Sequence, residues 1–465
     1  MKGVLQLTNT VDPAVRDFLT GRIWLREHTP FPAELIDTQI SLGNIAILPG
    51  LKSTPSLLHK FTYFCNRCEN TTQSRFTTFS CAKCEGPCTY CRHCLKMGRV
   101  STCTDLIIWT GQESTYSTTH AIAWADILTS RQQQASNELS ESTDLQRPHL
   151  IHAVCGAGKT EILFEPIHKQ LQAGKRICIA APRVDVILEL EPRFRAAFPT
   201  TIIEALYGGA KPGQAQAQLI LATTHQLYRF RQAFDVIYVD EADAFPYTAD
   251  ETLRRAVKKA AKQQASIHSV TATPSKKLIT EMKQKGAIST INRRYHGHSL
   301  PVPRYESLWN YTRHMNRGKL PVKLRKWTEQ RLQREEPFLI FFHTIALMEA
   351  AEPVFQQLDA RIRAVHAAHP DRKEHVQSLR RQDLPGLLTT TILERGITIP
   401  NVQVAVIGAE QQTFTSAALV QIGGRVGRSS EHPTGDFVLF HHGIAHAMDD
   451  AKREINRLNK AGDST

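Results

Sequence analysis

Residues 149–167 read HLIHAVCGAGKTEILFEPI, and this stretch decides the fold of the chain. An apolar run leads into a glycine-containing turn, and then into a segment of helical spacing that begins near Lys159. The turn follows the phosphate-loop pattern G-x-x-x-x-G-K-[ST], with Ala153 standing where the pattern has its first glycine. The physics of the loop survives that replacement. Gly156 and Gly158 let the backbone around Ala157 fold its amides about phosphate oxygens, and the helix N-terminus adds its positive end. Lys159 is placed to reach the β- and γ-phosphates and the Thr160 hydroxyl to bind Mg²⁺, so ATP and Mg²⁺ are the expected cofactors. A chance match in a surface loop would lack the strand before it and the helix after it.

The alternation continues on both sides. RICIAAP (176–182), QLILATT (218–224), FDVIYVD (234–240) and IHSVTAT (267–273) read as buried strands, and 161–175 and 185–198 as helices between them. Further strands are expected at 338–344, 362–367, 386–391, 402–408 and 435–442, with a basic amphipathic helix in 319–337 leading into them. Strands alternating with helices predict βαβ units, and hence two α/β parallel-sheet domains in tandem. The expected division is 1–112, 113–305 and 306–465, and the polar stretch SNELSESTDLQRP (136–148) reads as a short loop before the first sheet. Asp240 ends its apolar run where a carboxylate can hold Mg²⁺ through water, and Glu241 follows, placed to polarise an attacking water. An isolated Asp-Glu pair usually decorates a helix start; a strand in front and a phosphate loop upstream favour chemistry.

The chain has 465 residues and a net charge of +13, an excess that points to an anionic partner, nucleic acid first. No apolar run approaches the ~18 residues of a spanning helix, and MKGVLQLTNTVDPAVRD resembles no signal peptide. A cytosolic protein without direct membrane insertion is therefore expected. In a reducing compartment, paired thiols mean metal rather than disulfides. Eight of the ten cysteines lie in residues 65–103. Cys65-x2-Cys68 and Cys81-x2-Cys84 have the spacing of a four-thiolate Zn²⁺ site. Cys88, Cys91, Cys94 and Cys103 are left to form a second. Alternatively Cys91-x2-Cys94 pairs with Cys65-x2-Cys68, leaving the middle cysteines spare. An iron–sulfur cluster is the competing chemistry, weakened by the missing x3-Cys-Pro ligand. Arg67, Arg75, Lys83, Arg92, His93, Lys96 and Arg99 interleave with Phe76, Phe79 and Tyr90, a composition suited to single-stranded nucleic acid or a partner protein. Basic residues at 254–262 read as a solvated helix face, and Cys155 and Cys178 as small buried hydrophobes.

Asp240-Glu241-Ala242-Asp243 spells DEAD, and around it the chain resembles superfamily 2 helicases with their two RecA-like domains. Leu128-Thr129-Ser130-Arg131-Gln132 resembles the adenine-reading glutamine motif. Ala181-Pro182-Arg183 and Thr223-Thr224-His225-Gln226-Leu227 resemble motifs Ia and Ib, Thr271-Ala272-Thr273-Pro274 motif III, and Thr389-Thr390-Thr391 with Arg395-Gly396 motif V. Gln421-x-x-Gly424-Arg425-x-Gly427-Arg428 fits motif VI. The resemblance implies that Gln132 and Gly396 border the nucleotide, that Pro182, Arg183, Thr224 and Thr390 contact the strand, and that Gln421, Arg425 and Arg428 complete the ATP site, the two arginines as fingers. In motif V, Glu394-Arg395-Gly396 stands in for the family's spaced acidic residue, which weakens the transfer of its coupling role.

Joined to a cysteine-rich front, the stretches HAVCGAGKTE, VDEADAFPY, TILERGITIPNV and QIGGRVGRS resemble the ComFA family over nearly the whole chain. That resemblance implies an ATP-driven single-stranded DNA motor of natural competence, working at the inner face of the cell membrane. Its implied partners are a ComFC-like phosphoribosyltransferase-fold protein, DprA and the membrane DNA channel. PriA-like restart helicases also combine cysteine pairs with this motor, but within the motor rather than before it. A zinc-dependent DNA-binding scaffold and an RNA helicase are the other readings.

Overall fold

The computed structural model describes residues 10–56, 61–210, 213 and 216–463. Residues 1–9, the start of the stretch read above as no signal peptide, lie outside them. In chain order, β1 (Ile23–Leu25), β2 (Ile45–Pro49), β3 (Leu51–Pro55), β4 (Phe61–Cys65), β5 (Phe76–Cys81), β6 (Gly86–Cys91) and β7 (Asp105–Trp109) belong to the N-terminal module. There β1, β7 and β2 form an antiparallel sheet, and β3–β4 and β5–β6 are hairpins.

The first motor domain holds β8 (His149–Ala153), β9 (Ile177–Ala181), β10 (Ile203–Leu206), β11 (Leu219–Thr223), β12 (Phe234–Asp240), β13 (Ala261–Thr271) and β14 (Ala287–Ile291). All seven are parallel, in the order β10-β11-β9-β12-β13-β8-β14. The second holds β15 (Arg304–Ser307), β16 (Phe338–Phe342), β17 (Arg363–Val365), β18 (Gly386–Thr389), β19 (Gln403–Ile407) and β20 (Phe437–His441), parallel in the order β15-β20-β19-β16-β18-β17. The inner strands are buried on both faces, which is why they are uninterrupted apolar runs in the sequence. The expected tandem α/β architecture is what the chain adopts.

Two local expectations are corrected. Residues 136–148 are mostly helix: Ser130–Asp144 is continuous. Thr129 and Gln132 cap its start reciprocally, Gln132 N–H donating to Thr129 Oγ1 (3.4 Å) and Thr129 N–H to Gln132 Oε1 (2.7 Å). Its buried face carries Ala135 and Leu139 but also Gln132, Ser136, Ser142 and Thr143, polar groups that look solvated in the sequence. Ser142 Oγ lies 2.8 Å from His149 Nδ1, and Thr143 Oγ1 lies 3.0 Å from His268 Nε2.

The helix Glu251–Ala260 is likewise not a free basic face. Lys259 Nζ donates to the carbonyls of Tyr228 (2.9 Å) and Arg67, and Arg255 donates to the Glu69 carbonyl (3.2 Å). These bonds seat the first cysteine knuckle on the motor. A second anchor is the buried ion pair Arg22–Glu204 (2.6 Å), beside Arg176, which donates to the Thr20 carbonyl at 2.9 Å.

Candidate active site

A cleft of about 780 Å³ opens between the two motor domains. Its first wall carries Gly156, Gly158, Lys159, Thr160, Asp240 and Glu241, and its second Gly396, Thr398, Arg425 and Arg428. Parallel sheets gather these groups because loops at the C-terminal ends of the strands all leave on one side. The phosphate loop follows β8 and the acids follow β12, two strands away in the sheet.

Gly158 takes φ = 73°, and a Cβ there would lie 2.3 Å from Gln132 Nε2. Gln132 therefore presses on the loop itself, donating to the Ala157 carbonyl at 2.8 Å. The capped helix holds it there, while Trp124, Ile127 and Tyr295 line the same cleft. Arg193, not singled out in the sequence, donates to Thr160 Oγ1 at 3.1 Å and pairs with Glu161. Burial, and then the charge of Glu241, raise the Asp240 carboxyl to about 7. Glu241 adopts φ = 53°, a conformation uncommon for a residue with a side chain and one that concentrates at functional sites.

The second domain reaches these acids through a residue quoted in motif V but given no role. Arg395 pairs with Glu241, and grips Asp243 with two bonds, to Oδ1 at 3.0 Å and Oδ2 at 2.7 Å. Burial alone would push Asp243 up; Arg395 and the hydroxyls of Thr271 and Thr273 hold it below the usual carboxylate range. Gly396, at φ = 69°, makes the close approach possible, since a Cβ there would lie 2.8 Å from Asp185 Cβ. Gln421 donates to Thr273 Oγ1 (3.1 Å) and accepts from the Cys155 thiol (3.0 Å). Cys155 is thus an interdomain contact of the phosphate loop as well as a buried group, while Cys178 is buried in β9. Arg425 and Arg428 both border the cleft. In this state Arg425 donates to the carbonyls of Glu394 and Ile397, and Arg428 to Thr398 Oγ1 (3.0 Å). Burial, with Arg428 beside it, lowers the Arg425 guanidinium to about 9.

None of the four residues expected to contact a strand is fully exposed in this structure. Pro182 and Thr224 are buried and Thr390 is half-buried. Arg183 crosses to the second domain, donating to Glu394 (2.9 Å) and to the Thr391 carbonyl (3.1 Å). Of the four, Arg183 is the one that bridges the two domains, while the segment Thr224–Arg229 packs on the helix Glu251–Ala260 of the first domain.

The eight cysteines fall into two groups of four, Cys65, Cys68, Cys91 and Cys94, and Cys81, Cys84, Cys88 and Cys103. The expected union of Cys65–Cys68 with Cys81–Cys84 is corrected, and no thiol is spare. The reason is the β5–β6 hairpin. Cys81 lies opposite Gly86 at its turn, and Cys91 opposite Phe76 at its far end. Five residues of strand span about 17 Å, so one knuckle forms at each end. Sγ–Sγ separations of 3.5 Å (Cys68–Cys91) and 3.7 Å (Cys65–Cys94, Cys81–Cys103) suit a tetrahedral thiolate shell, whose edges are about 3.8 Å for Zn–S bonds of about 2.3 Å. Each group could hold one metal ion. The first group is fully buried; in the second, Cys84 is exposed.

Of the surrounding basic residues, Arg67 belongs to the knuckle, donating to the Cys94 carbonyl (2.9 Å) and the Met97 carbonyl (3.1 Å). The rings pack on one another, Tyr63 on Phe76 and Phe79 on Tyr90, each pair 5.7 Å apart, with Arg99 over Phe79 at 4.5 Å. All four rings are half-buried, and Tyr63 and Phe76 also pack against the core that contains Cys65 and Cys91.

Comparisons with known proteins agree with this geometry. Residues 8–108 match the competence protein ComFA N-terminal domain, 126–276 the res subunit of type III restriction enzymes, and 322–430 the helicase conserved C-terminal domain. The competence protein ComFA of Bacillus subtilis (strain 168) is 40% identical over 95% of this chain and 94% of its own length. That of Streptococcus pneumoniae (strain ATCC BAA-255 / R6) is 37% identical over 85% and 90%. The replication restart protein PriA of B. subtilis is 23% identical over 46% of this chain and 29% of its own. Among solved structures, the DEAD-box helicase Mss116 bound to ssRNA and UDP-BeF has a TM-score of 0.55 at 19% identity, covering 68% of this chain and 70% of that one. The Mycobacterium smegmatis helicase Lhr bound to ssDNA and AMP-PNP also gives 0.55, at 16% identity, over 72% and 48%. These structures share the fold: two RecA-like domains of a helicase-type ATPase.

Proposed function

The chain belongs to the ComFA family of competence proteins, and on that premise we propose that it is an ATP-hydrolysing motor that moves single-stranded DNA during natural competence. The observation that carries the proposal is the Arg395 bridge. One guanidinium from the second domain holds both Glu241 and Asp243 of the first, so movement of that domain changes the surroundings of the acids. Lys159 and the amides of residues 156–158 bind the phosphates, Gln132 borders the nucleotide, and Glu241 orients water. Gln421 relays the position of Thr273, and Arg425 and Arg428 offset charge that develops on the phosphate in the transition state. Thr160 and Asp240 would hold Mg²⁺, which when bound neutralises phosphate charge. Release of Arg193 from Thr160 and of Arg425 from its carbonyls accompanies loading of the site.

The two cysteine groups hold one Zn²⁺ each in this reading, and the functional units are those expected, 1–112, 113–305 and 306–465, with the last boundary moved to 304 because β15 pairs with β20 from Arg304 onward. A ComFC-like protein, DprA and the DNA channel are the proposed partners, and would hold the motor at the inner face of the membrane. No helix among the described residues is long and apolar enough to cross it.

The deciding experiment compares ATP turnover with single-stranded DNA, duplex DNA and RNA, with metal content measured on the same sample. We expect hydrolysis stimulated most by single-stranded DNA, about two zinc per chain, and loss of turnover in Lys159→Ala and Asp240→Ala. Unchanged turnover in both variants would sink the motor reading.

A further inference from the structure

A second cavity, of about 680 Å³, lies on the second motor domain outside the ATP cleft. Its walls follow the C-terminal ends of β15, β16, β19 and β20: Trp309, Tyr311, His343, Gln411 and His442. The loop that borders the nucleotide follows β18, on the other side of β16. Ligands of open parallel sheets bind along this edge.

The cavity is built in advance. Glu410 lies beneath it and one carboxylate oxygen organises three wall groups. Tyr311 Oη donates to Oε1 at 3.1 Å, Gln411 Nε2 donates to it at 3.1 Å, and His442 Nδ1 lies 2.7 Å from it. The Tyr311 ring stands 6.1 Å from His343 and 6.2 Å from His442. Gly408 is needed below them, since a Cβ there would meet Tyr311 Oη at 2.4 Å. Over this floor the Trp309 indole is 68% exposed. Arg313 and Arg317, four residues apart and therefore on one side, are exposed. Among the described residues neither side chain has a hydrogen bond or ion pair. An exposed indole is costly to leave in water, and free guanidiniums beside it select an anion with a flat apolar face.

We propose that this cavity is a single-stranded DNA grip: an unpaired base stacks on Trp309, and the flanking phosphates pair with Arg313 and Arg317. The proposal rests on the reading of the chain as a single-stranded DNA motor. Arg313 and Arg317 are exposed, whereas Pro182 and Thr224 are buried and Arg183 is held by Glu394. A grip on the second domain moves with that domain as the cleft changes width, which is what translocation requires.

The test is binding of fluorescein-labelled oligo-dT and, in parallel, oligo-uridine, followed by anisotropy with full-length protein. Stacking of one base predicts that Trp309→Ala raises Kd by roughly 5- to 150-fold, with Trp309→Phe restoring most of the loss. Arg313→Ala with Arg317→Ala should lower the slope of log Kd against log salt by about 1.4, the value for two phosphate contacts on a single strand. Wild-type protein, which needs no variant to fold, should cross-link through Trp309 when irradiated with oligo-dT carrying 5-iodouracil. Wild-type binding with no effect of Trp309→Ala, or cross-links mapped only elsewhere, overturns the grip and leaves the motor reading standing. Absence of any wild-type binding overturns both. A Trp309 effect confined to oligo-uridine overturns the DNA assignment.

Discussion

Arg395 shows how much one side chain decides at the site. It is buried between three carboxylates, Glu241, Asp243 and Glu394, and removing one partner of such a group leaves uncompensated charge behind. Arg395→Ala should therefore lower DNA-stimulated kcat on the order of 10²-fold, read by steady-state hydrolysis beside a separate measurement of nucleotide affinity. An equal loss in affinity and none in kcat would show that it serves binding instead. Lys159, Asp240, Glu241 and Gln421 were legible because each sits in a spaced motif whose neighbours must be small, apolar or glycine. Arg193 and Tyr295 were not, because nothing local marks a residue that reaches the cleft from a different helix or loop. Cys155 was read only as a small buried group, and its bond to Gln421 depends on the two domains meeting.

Among the elements, the helix Ser130–Asp144 places Gln132 against the phosphate loop and covers two buried histidines of the first sheet. Burial depresses His149 to about 4 and His268 to about 3. Histidines folded in neutral form contribute stability that is complete above the unfolded value of about 6.5 and is lost as pH falls toward the folded values. At pH 5 each should cost about 2 kcal/mol relative to pH 7. A thermal melt should fall steeply over that window, and His149→Asn with His268→Asn should flatten the profile. The cap predicts a loss of about 1 kcal/mol in Thr129→Ala, seen in the same melts. The sequence marks this helix weakly because, beside Ala135 and Leu139, its buried face carries Ser136, Ser142 and Thr143, residues that also suit a loop. The helix Glu251–Ala260 escaped for the opposite reason: its cations looked solvated, yet Lys259 and Arg255 bind carbonyls of the first cysteine knuckle. Stripping metal with a chelator should accordingly remove zinc from the exposed Cys84 group first. Loss of the Cys65 group should then lower the melting temperature of the motor as well. A Cys84→Ser variant keeping about one zinc per chain with little change in melting, against a marked drop for Cys68→Ser, is the expected contrast.

Across the whole molecule, the N-terminal module is fastened to the first motor domain by a buried ion pair, and the two motor domains by a seam of charges that includes Arg183–Glu394 and Arg372–Asp185. Breaking Arg22–Glu204 with Arg22→Ala should cost about 3–5 kcal/mol, and calorimetry should show the module separating as an earlier transition. By itself the sequence determined the parallel sheets, the phosphate loop, the acids and the family, because strand burial and phosphate chemistry each demand particular residues at short, regular spacing. Only the tertiary structure decided which cysteines come together in groups of four, which cations are spent inside the protein, and which remain exposed. Those outcomes depend on the length of a hairpin and on how two domains close, and neither distance is written in any local run of residues.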